Sequence, residues 1–309
     1  MTILFQSLIH DPDLWIDALQ PALPDEDIRP LAEIDDKASV DAAIVLAPPH
    51  GLLASLPNLK FVQNLGAGVD GLLKDPSYPR HLPLARMVDD GLANKMAEYV
   101  VLHVLRYHRQ VEAMQFNQRN KIWKWLPPVD ASERCIGIMG MGELGIAAAK
   151  RLLGFGFQVV SWSRRLKAID GVASFHGADQ LEGFLRHCQM LVCLLPLTPE
   201  TTGIINRRTL SLLPRGAYVI NAGRGGHVAE HDLLHALDND YIAGATLDVF
   251  AEEPLRQDHP FWVHPKVTVT PHNAADIIPS RVVPYIADNI RRLREGRPLL
   301  RLVDMKTGY

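Results

Sequence analysis

The sequence predicts an α/β fold made of two doubly wound parallel-sheet domains. Short apolar runs alternate with amphipathic helical stretches along the chain, as in parallel strands joined by helical crossovers. A length of 309 residues favours two domains over one. One apolar run, Cys135–Met139, leads directly into the glycine-rich segment Gly140–Gly145 and then into a helical stretch. That strand–turn–helix order is typical of dinucleotide-binding folds.

The first part of the chain has the elements of an α/β domain of its own. A long helix is predicted next, because apolar residues recur at every third or fourth position, and this helix is long enough to cross between domains. The predicted strands are Thr2–Ser7, Ala42–Leu46, Leu59–Gln63 and Leu84–Val88, the short helices lie near Asp13–Gln20 and His50–Ser55, and the long helix covers about Ala93–Gln118.

The second part repeats the alternation around the glycine-rich segment. A final helix is predicted over Arg281–Glu295, with Pro284 in its opening turn, where proline is tolerated. This helix could carry the chain back to the first domain. The further strands predicted here are Phe157–Trp162, Met190–Leu195, Ala217–Asn221, Ala243–Val249 and Val267–Thr270.

Composition excludes several classes of protein. Hydrophobic residues make up 47% of the chain, charged residues 22%, and the net charge is −3, so there is no footprint of nucleic-acid binding. No apolar run approaches the length of about 18 residues that a membrane span needs. The N-terminus lacks the pattern of a signal peptide. The three cysteines lie in or beside apolar runs, so we expect buried thiols in a reducing, cytoplasmic setting.

The glycine-rich segment reads Gly140-Met141-Gly142-Glu143-Leu144-Gly145. Gly140 permits a tight turn, Gly142 lets the backbone approach phosphates, and Gly145 lets the following helix pack close to the strand. The helix N-terminus adds free N–H groups and a partial positive charge. The segment therefore predicts a site for a dinucleotide pyrophosphate.

The end of the following strand indicates which nucleotide. NAD-selective sites usually carry Asp or Glu there, roughly 20 residues past the glycines, to bind the ribose 2′-hydroxyl. Here the residues are Ser163-Arg164-Arg165. One hydroxyl and two guanidinium groups suit a 2′-phosphate, so NADPH is favoured, with NADH as the alternative. The competing interpretation is that both arginines are solvated loop charges.

Three predicted strand ends carry reactive residues. Arg224 follows the strand that ends at Asn221, Glu253 follows the next strand, and His272 follows the last. Because parallel sheets place ligands at the carboxyl ends of their strands, these residues can converge beside the glycine-rich segment.

In this order, the motifs resemble those of the D-isomer-specific 2-hydroxyacid dehydrogenase family, closest to its NADPH-dependent glyoxylate/hydroxypyruvate reductase branch. The resemblance spans nearly the whole chain. It rests on Gly66-Ala67-Gly68-Val69-Asp70, the Gly140–Gly145 segment, Leu195-Pro196-Leu197-Thr198, Asn221-Ala222-Gly223-Arg224-Gly225, Asp248–Pro254 and Thr270-Pro271-His272.

The resemblance implies two Rossmann-like domains, one flavodoxin-like and one that binds NAD(P), with a cleft between them. The substrate-binding domain would comprise residues 1–97 and 283–309, and the NAD(P)-binding domain residues 98–282. It also implies a homodimer, formed through the long helix and the segment Lys121–Pro128. The implied cofactor contacts beyond the glycine-rich segment and Ser163–Arg165 are Leu195, Pro196, Thr202, Asn221, Ala222, Gly223, Asp248, His272 and Ala274.

The family's reaction would be reduction of a 2-keto acid to the D-2-hydroxy acid, and the chemistry assigns the roles. Arg224 can bind the substrate carboxylate and polarise the keto oxygen. His272 can donate the proton while hydride arrives from the nicotinamide. Glu253 can orient His272 and raise its pKa. Backbone N–H groups of Leu65, Gly66, Ala67 and Gly68 can bind the same carboxylate. The resemblance also implies that Met96 and Asn94 lie near the pocket mouth.

Three further interpretations bear on function. His231 and His235 have zinc-like spacing on a predicted helix, but the general-base Glu and a third ligand are missing, so no metal site is predicted. The apolar segment Val45–Pro49 favours a larger 2-keto acid than glyoxylate. The alternative function is a nucleotide-sensing, corepressor-like binding module of the same fold, although the Arg224, Glu253 and His272 set favours an enzyme.

Overall fold

The computed structural model describes residues 1–308. Tyr309, the last residue of the predicted substrate-binding domain, lies outside the described residues. The chain divides into two compact units. The terminal unit consists of residues 1–91 and the C-terminal residues from Asp276 onward, and the central unit consists of residues 92–275.

The terminal unit contains a five-stranded parallel sheet in the order β2-β1-β3-β4-β5, which is the flavodoxin-like order. Its apolar strand residues pack in a core with Leu52, Leu53 and Leu72. Helix α1 begins where the Asp11 carboxylate accepts a hydrogen bond from the Asp13 amide. The elements are β1 Thr2–Ser7, α1 Pro12–Leu19, β2 Asp27–Pro30, β3 Val40–Leu46, β4 Phe61–Asn64, α2 Asp70–Leu73 and β5 Leu84–Ala85.

Two helices follow in place of the predicted single long helix. Helix α3 covers Asp90–His108 and α4 covers Val111–Arg119. Gln110 separates them because its φ of 57° is left-handed and cannot continue a helix. The prediction of one continuous helix is therefore wrong. None of the residues of α4 is buried, so the apolar periodicity at Val111 and Met114 did not mark a core face.

The central unit contains a seven-stranded parallel sheet in the order β12-β11-β10-β9-β6-β7-β8. This is the Rossmann order with one added strand, and the order reverses between β6 and β9. Its elements are β6 Cys135–Met139, α5 Glu143–Gly154, β7 Gln158–Ser163, β8 Val172–His176, α6 Leu181–His187, β9 Met190–Cys193, α7 Arg207–Leu210, β10 Ala217–Asn221, α8 Glu230–Asp238, β11 Ile242–Leu247 and β12 Val267–Val269.

Both faces of this sheet are covered by apolar clusters. One cluster joins strand residues to α3 and α5, and the other joins them to α6 and α8. Gly137 in β6 allows the second layer to pack closely, because a Cβ there would lie 2.0 Å from the Cys188 sulfur. Cys188 and Cys193 are buried thiols and Cys135 is half-buried. Burial raises the pKa of the Cys135 thiol to about 11.

The last helix, α9, covers Pro279–Arg294 and packs in the terminal unit. Its Asn289 amide donates to Gln63 at 3.1 Å, and its Arg294 pairs with Glu26 and Asp41. The helix begins earlier than predicted because Pro279 occupies the favoured first position. Pro284 therefore lies inside the helix, and the prediction that it lies in the opening turn is wrong.

The strand predictions for β1, β6 and β10 are confirmed residue for residue, and those for β3, β4, β7, β9, β11 and β12 within a few residues. Strands β2 and β8 were not predicted. The helix predicted at His50–Ser55 is only a 3₁₀ turn. Short 3₁₀ helices lie at Gln20–Ala22, Leu31–Glu33, Lys37–Ser39, Leu53–Ser55, Ala131–Glu133, Ala178–Gln180, Gly225–His227 and Pro260–Trp262.

The predicted domain boundaries, after residue 97 and before residue 283, fall inside α3 and α9, a few residues from the bounds of the compact units. The assignment of substrate binding to one unit and cofactor binding to the other stays a prediction. Within residues 1–308, no helix is both long and apolar enough to cross a bilayer.

Candidate active site

The glycine-rich segment lies at the reversal of strand order, and two of its glycines are required by packing. Gly140 has a φ of 101°, and its amide donates to the Trp162 carbonyl at 2.9 Å. A Cβ on Gly145 would lie 2.0 Å from the Gly140 carbonyl oxygen. A larger residue at Gly145 would push α5 away from β6, and a Cβ on Gly140 would lie 2.6 Å from the Leu194 carbonyl oxygen.

Gly142 has a different role, because a Cβ there would meet no protein atom within 4 Å. It is the N-cap of α5 and makes no side-chain cap. Met141 is buried, Leu144 is half-buried and Glu143 is exposed in the first turn. The cradle formed by Gly140–Gly145 thus leaves open space at the N-terminal end of α5, and a side chain at Gly142 would fill this space. Such a donor set fits a phosphate group.

The turn after β7 carries the predicted 2′-phosphate contacts. Arg164 and Arg165 are both exposed. The Ser163 hydroxyl donates to the Arg165 carbonyl at 2.6 Å, which closes the turn. Hydrogen bonds from the Thr198 hydroxyl and the Glu200 amide lower the pKa of the Glu200 carboxyl, and the charge of Arg164 adds to this shift. The turn after β7 and the loop after β9 therefore lie close together.

The loop after β9 is held by its own hydroxyl groups. The Thr201 hydroxyl donates to the Pro196 carbonyl at 2.7 Å, and the Thr202 hydroxyl donates to the Thr198 carbonyl at 2.8 Å. Leu195 is buried beneath the loop. The predicted contacts Leu195, Pro196 and Thr202 thus belong to one rigid turn beside the glycine-rich segment, with the hydroxyl proton of Thr202 already engaged.

Arg224 lies in a tightly braced loop after β10. Asn221 accepts from the Gly223 amide and donates to the Arg224 carbonyl at 2.9 Å. The half-buried guanidinium donates to the Gly223 carbonyl at 2.8 Å. A Cβ on Gly225 would lie 1.8 Å from the Phe250 backbone, so this loop packs directly on the loop after β11.

His227 supports Arg224 and was missed by sequence reasoning. Its Nδ1 accepts from the Arg224 amide at 3.1 Å, so Nε2 carries the proton and donates to the Pro196 carbonyl at 3.2 Å. This fully buried imidazole connects the loops after β9 and β10. Its position three residues after Arg224 was a local signal, but only the structure shows which nitrogen faces which loop.

His272 and Glu253 form a direct pair. His272 Nδ1 lies 2.6 Å from Glu253 Oε2, and the other carboxylate oxygen accepts from the Phe250 amide at 2.9 Å. The hydrogen bond to Glu253 raises the pKa of His272, against partial burial. Burial alone would raise the pKa of Glu253, but the hydrogen bonds from His272 and Phe250 lower it, helped by the charges of His272 and Arg224.

The backbone around His272 is held by Asp248. His272 has a left-handed φ of 52°, and its amide donates to the Asp248 carbonyl at 2.8 Å. The buried Asp248 carboxylate accepts from the Asn273 and Ala274 amides, both at 3.0 Å, and from the Thr270 hydroxyl at 2.6 Å. Asp248 and the Ala274 backbone, predicted as cofactor contacts, therefore also brace the histidine loop.

Neighbouring strand ends bring the predicted catalytic residues together. Strands β10, β11 and β12 are adjacent, so Arg224, Glu253 and His272 lie at the same edge of the central sheet. The Arg224 charge acts on both members of the histidine–glutamate pair. In such an arrangement the guanidinium can bind an anion. The imidazole, when protonated, can supply a proton to it.

The predicted carboxylate-binding turn, Leu65–Gly68, lies in the terminal unit after β4. The Asn64 amide donates to the Gly66 and Gly68 carbonyls at 2.8 and 3.0 Å, which braces the turn. Among described residues, none accepts a hydrogen bond from the amides of Gly66, Ala67 or Gly68. Leu65 is fully buried, and its amide donates to Val45. Three adjacent donors of this kind suit a carboxylate.

Met96 and the histidine pair occupy other settings. Met96 is buried in the same apolar cluster as Met141, Ala222 and Ala274. Asn94 lies 3.5 Å from Arg151 at the start of α3. His231 and His235 are exposed on α8. Within residues 1–308, no group of three or more potential ligands could hold a metal ion.

Comparison with known proteins matches both the sequence and the fold. The chain is 45% identical to glyoxylate/hydroxypyruvate reductase A of Serratia proteamaculans and 44% identical to that of Photorhabdus laumondii, each over 100% of both chains. A D-isomer specific 2-hydroxyacid dehydrogenase from Xanthobacter autotrophicus Py2, in complex with NADPH and MES, has a TM-score of 0.95 at 43% identity, with 100% of this chain and 99% of that chain covered.

An NADPH-dependent glyoxylate/hydroxypyruvate reductase from Sinorhizobium meliloti, in complex with NADP and sulfate, has a TM-score of 0.94 at 37% identity, with 100% of both chains covered. The model of the D-isomer specific 2-hydroxyacid dehydrogenase NAD binding domain matches residues 101–274, which is more than half of the chain. The family predicted from the motifs is thus confirmed, and this chain belongs to the D-isomer specific 2-hydroxyacid dehydrogenase family of oxidoreductases.

Proposed function

We propose that this protein catalyses the NADPH-dependent reduction of a 2-keto acid to the D-2-hydroxy acid, with glyoxylate and hydroxypyruvate as the first candidates. The observation that carries the proposal is the 2.6 Å pair of His272 and Glu253 beside Arg224. The names of relatives that match over the full length support the same reaction.

The residues of the central unit fit an NADP(H) cofactor. When bound, the cofactor supplies the hydride. The cradle of Gly140–Gly145 provides backbone donors and the N-terminus of α5 for its pyrophosphate. Arg164 and Arg165 provide charge for a 2′-phosphate. The NADPH and NADP complexes of the two related structures support this choice, and NADH remains the alternative cofactor.

The catalytic steps assigned to this chain are binding and proton transfer. Arg224 binds the substrate carboxylate and polarises the adjacent carbonyl, because its forked donors match both groups. His272, as imidazolium, donates the proton to the carbonyl oxygen as it becomes an alkoxide. Since Glu253 accepts from Nδ1, the proton that His272 can give is on Nε2. In the terminal unit, the amides of Gly66–Gly68 bind a carboxylate group.

The side chain of the keto acid is proposed to be larger or more apolar than that of glyoxylate. Leu46 lies at the end of β3, and a Cβ built on Gly66 would be 3.3 Å from its Cδ1. The leucine side chain thus lies beside the carboxylate-binding turn. Leu8, whose amide donates to the Leu46 carbonyl, is 75% exposed at the neighbouring strand end. These residues give the turn an apolar margin.

The test is a panel of 2-keto acids with both cofactors, followed through the absorbance of the reduced nicotinamide. The panel contains glyoxylate, hydroxypyruvate, 2-ketoisocaproate and phenylpyruvate. We expect oxidation of NADPH faster than of NADH, and loss of kcat without loss of NADPH affinity in His272→Ala. Tight NADPH binding without turnover of any acid would support the corepressor-like module instead. Glyoxylate turnover far faster than that of the longer acids would refute the apolar margin.

Assembly and location are part of the same proposal. Trp123 is fully exposed, and Trp125 and Phe116 are 77% and 56% exposed. Apolar surface of this size on and after α4 supports a homodimer formed there, which light scattering after size-exclusion chromatography would test. The three free cysteines support a reducing, cytoplasmic location.

A further inference from the structure

Helix α3 carries a row of buried polar side chains that contact β11 and the loop after β12 in the central sheet. Tyr99, His103 and Tyr107 follow one another at four-residue spacing, which places them on one face of the helix. All three are buried. Tyr107 lies 2.6 Å from the Thr246 hydroxyl in β11, and His103 Nδ1 lies 3.3 Å from the same hydroxyl. Tyr99 reaches further along the sheet and lies 2.7 Å from the Thr270 hydroxyl.

The hydrogen bonds of Tyr99 run in one direction. The Thr270 hydroxyl has a single proton, and it donates this proton to Asp248 Oδ1 at 2.6 Å. The Thr270 oxygen must then accept from Tyr99, so the tyrosine is the donor of the 2.7 Å contact. The two hydrogen bonds therefore run from Tyr99 to Thr270 and from Thr270 to the Asp248 carboxylate. In a series of this kind each hydrogen bond polarises the next.

Asp248, which accepts the last of these hydrogen bonds, holds the loop that carries His272, the proposed proton donor. Its carboxylate accepts the amides of Asn273 and Ala274, and its carbonyl accepts the amide of His272. His272 itself is left-handed, a conformation that costs a non-glycine residue about 1 kcal/mol or more. The loop keeps this conformation because Asp248 is fixed in orientation, and the Thr270 hydroxyl supplies one of the contacts that fix it.

We propose that Tyr99 and Thr270 are positioning residues for the proton donor: acting through Asp248, they hold the His272 imidazole in register with Glu253. This inference rests on the proposed function, in which His272 is the acid. Neither residue touches the reacting atoms in this assignment. Their hydroxyl groups, rather than their bulk, are what the site requires.

The proposal predicts a change in titration as well as in rate. The charged groups that face His272 are Glu253, Arg224 and Asp248. The two carboxylates favour the imidazolium and Arg224 opposes it. We call the hydrogen bonds from Tyr99 to Thr270 and from Thr270 to Asp248 the brace. When one of them is lost, the distances from His272 to Glu253 and Asp248 lengthen on average, so the pKa of His272 falls back toward its ordinary value. The alkaline limb of the kcat profile should then move to lower pH.

The test uses substitutions that remove one hydroxyl each. Tyr99→Phe should lower kcat by up to about ten-fold, the loss expected if one buried hydrogen bond no longer acts in the transition state. Thr270→Val removes a bond to a charged group, so its effect should be larger, roughly 10- to 100-fold. Thr270→Ser keeps the hydroxyl and should restore most of the rate. The KM for NADPH should stay within about two-fold in all three variants.

The matched control is Tyr107→Phe. It removes a hydroxyl of the same residue type from the same helix face, where the bond is to Thr246 rather than to the histidine loop. We expect a similar fall in melting temperature for Tyr107→Phe and Tyr99→Phe, with kcat and the alkaline limb changed only in Tyr99→Phe. NMR titration of the imidazole of His272, assigned with His272→Gln, gives the same comparison without substrate or cofactor.

The outcomes separate the brace from the proposed function. An unchanged alkaline limb and an unchanged His272 titration in Tyr99→Phe and Thr270→Val would overturn the inference. Equal changes of kcat and of the alkaline limb in Tyr107→Phe would overturn it as well, because a general loss of helix packing would then explain the effect of Tyr99→Phe. If the wild-type protein reduced no keto acid, the proposed function would fail, whereas a shifted His272 titration in Tyr99→Phe would still support the brace.

Discussion

Replacing Glu253 by glutamine tests the electrostatic core of the proposed reaction. The carboxylate uses one oxygen to accept from His272 and the other to accept from the Phe250 amide. Glutamine has one carbonyl oxygen and no charge, so it can accept from only one of these donors. Glu253→Gln therefore removes the charge and, in either orientation of the amide, one of two hydrogen bonds.

The magnitude follows from the kind of bond that is lost. A hydrogen bond to a charged group contributes about 1.5–3 kcal/mol, and a neutral bond about 0.5–1.5 kcal/mol. The difference is roughly 1–1.5 kcal/mol. The His272 side chain is 49% exposed and that of Glu253 is 35% exposed, so solvent screening reduces this difference. If the amide turns its oxygen to Phe250 instead, the pKa of His272 falls further.

The sign is fixed by the direction of the reaction. Reduction consumes the proton of His272, and Glu253 raises the pKa of this imidazole, so the active form persists to higher pH. In Glu253→Gln, the rate is lost earlier as the pH rises. At about pH 8 the kcat should fall by roughly three- to ten-fold, and well below the ordinary histidine pKa of about 6.5 it should be little changed.

The assay is kcat against pH with a saturating keto acid and NADPH, and the control is Glu252→Gln. Glu252 is an exposed neighbour, so its substitution removes the same charge without touching His272. An unchanged alkaline limb in Glu253→Gln would refute the reasoning. So would an equal shift in the control, because long-range charge alone would then account for the effect.

Four further predictions follow from the cradle and the turns. Arg164→Ala with Arg165→Ala should raise the KM for NADPH by roughly 10- to 100-fold, and an equal rise for NADH would exclude contact with a 2′-phosphate. Gly145→Ala should lower the melting temperature because its Cβ meets the neighbouring backbone. Gly142→Ala should keep the melting temperature and raise the KM for NADPH, and an unchanged KM would remove this glycine from the cradle. Leu46→Ser should lower kcat/KM for 2-ketoisocaproate relative to glyoxylate by about ten-fold, and an unchanged ratio would remove this leucine from the apolar margin.

Sequence reasoning located the central strands and missed one edge strand in each sheet. β6 and β10 read as continuous apolar runs because both faces of the central sheet are covered. β2 is an edge strand with only Ile28 buried, and β8 is an edge strand with no fully buried residue. Such strands are defined by backbone pairing with one neighbour, which leaves little trace in a hydrophobic pattern.

The sequence predicted the candidate catalytic residues because each follows a predicted strand. It did not predict the residues that hold them in place. Because Arg224, Glu253 and His272 each follow a strand, the rule for parallel sheets was enough to group them. The contacts of His227 with Pro196 and of Tyr99 with Thr270 depend on which loop or helix packs against the strand ends. That information is carried by residues far apart in the chain, so a local pattern could not reveal it.

The conformation of His272 shows why the supports matter. A glycine at this position would remove the backbone strain, but it would also remove the proposed proton donor, so the loop must stabilise a left-handed histidine. Asp248 does this with contacts to Thr270, Asn273 and Ala274 and with its carbonyl bond to His272. At about 1 kcal/mol each, these bonds outweigh a strain of about 1–3 kcal/mol. The imidazole can therefore be held against Glu253 before any substrate binds, and the loss of one of these hydrogen bonds should first be seen in the titration of His272.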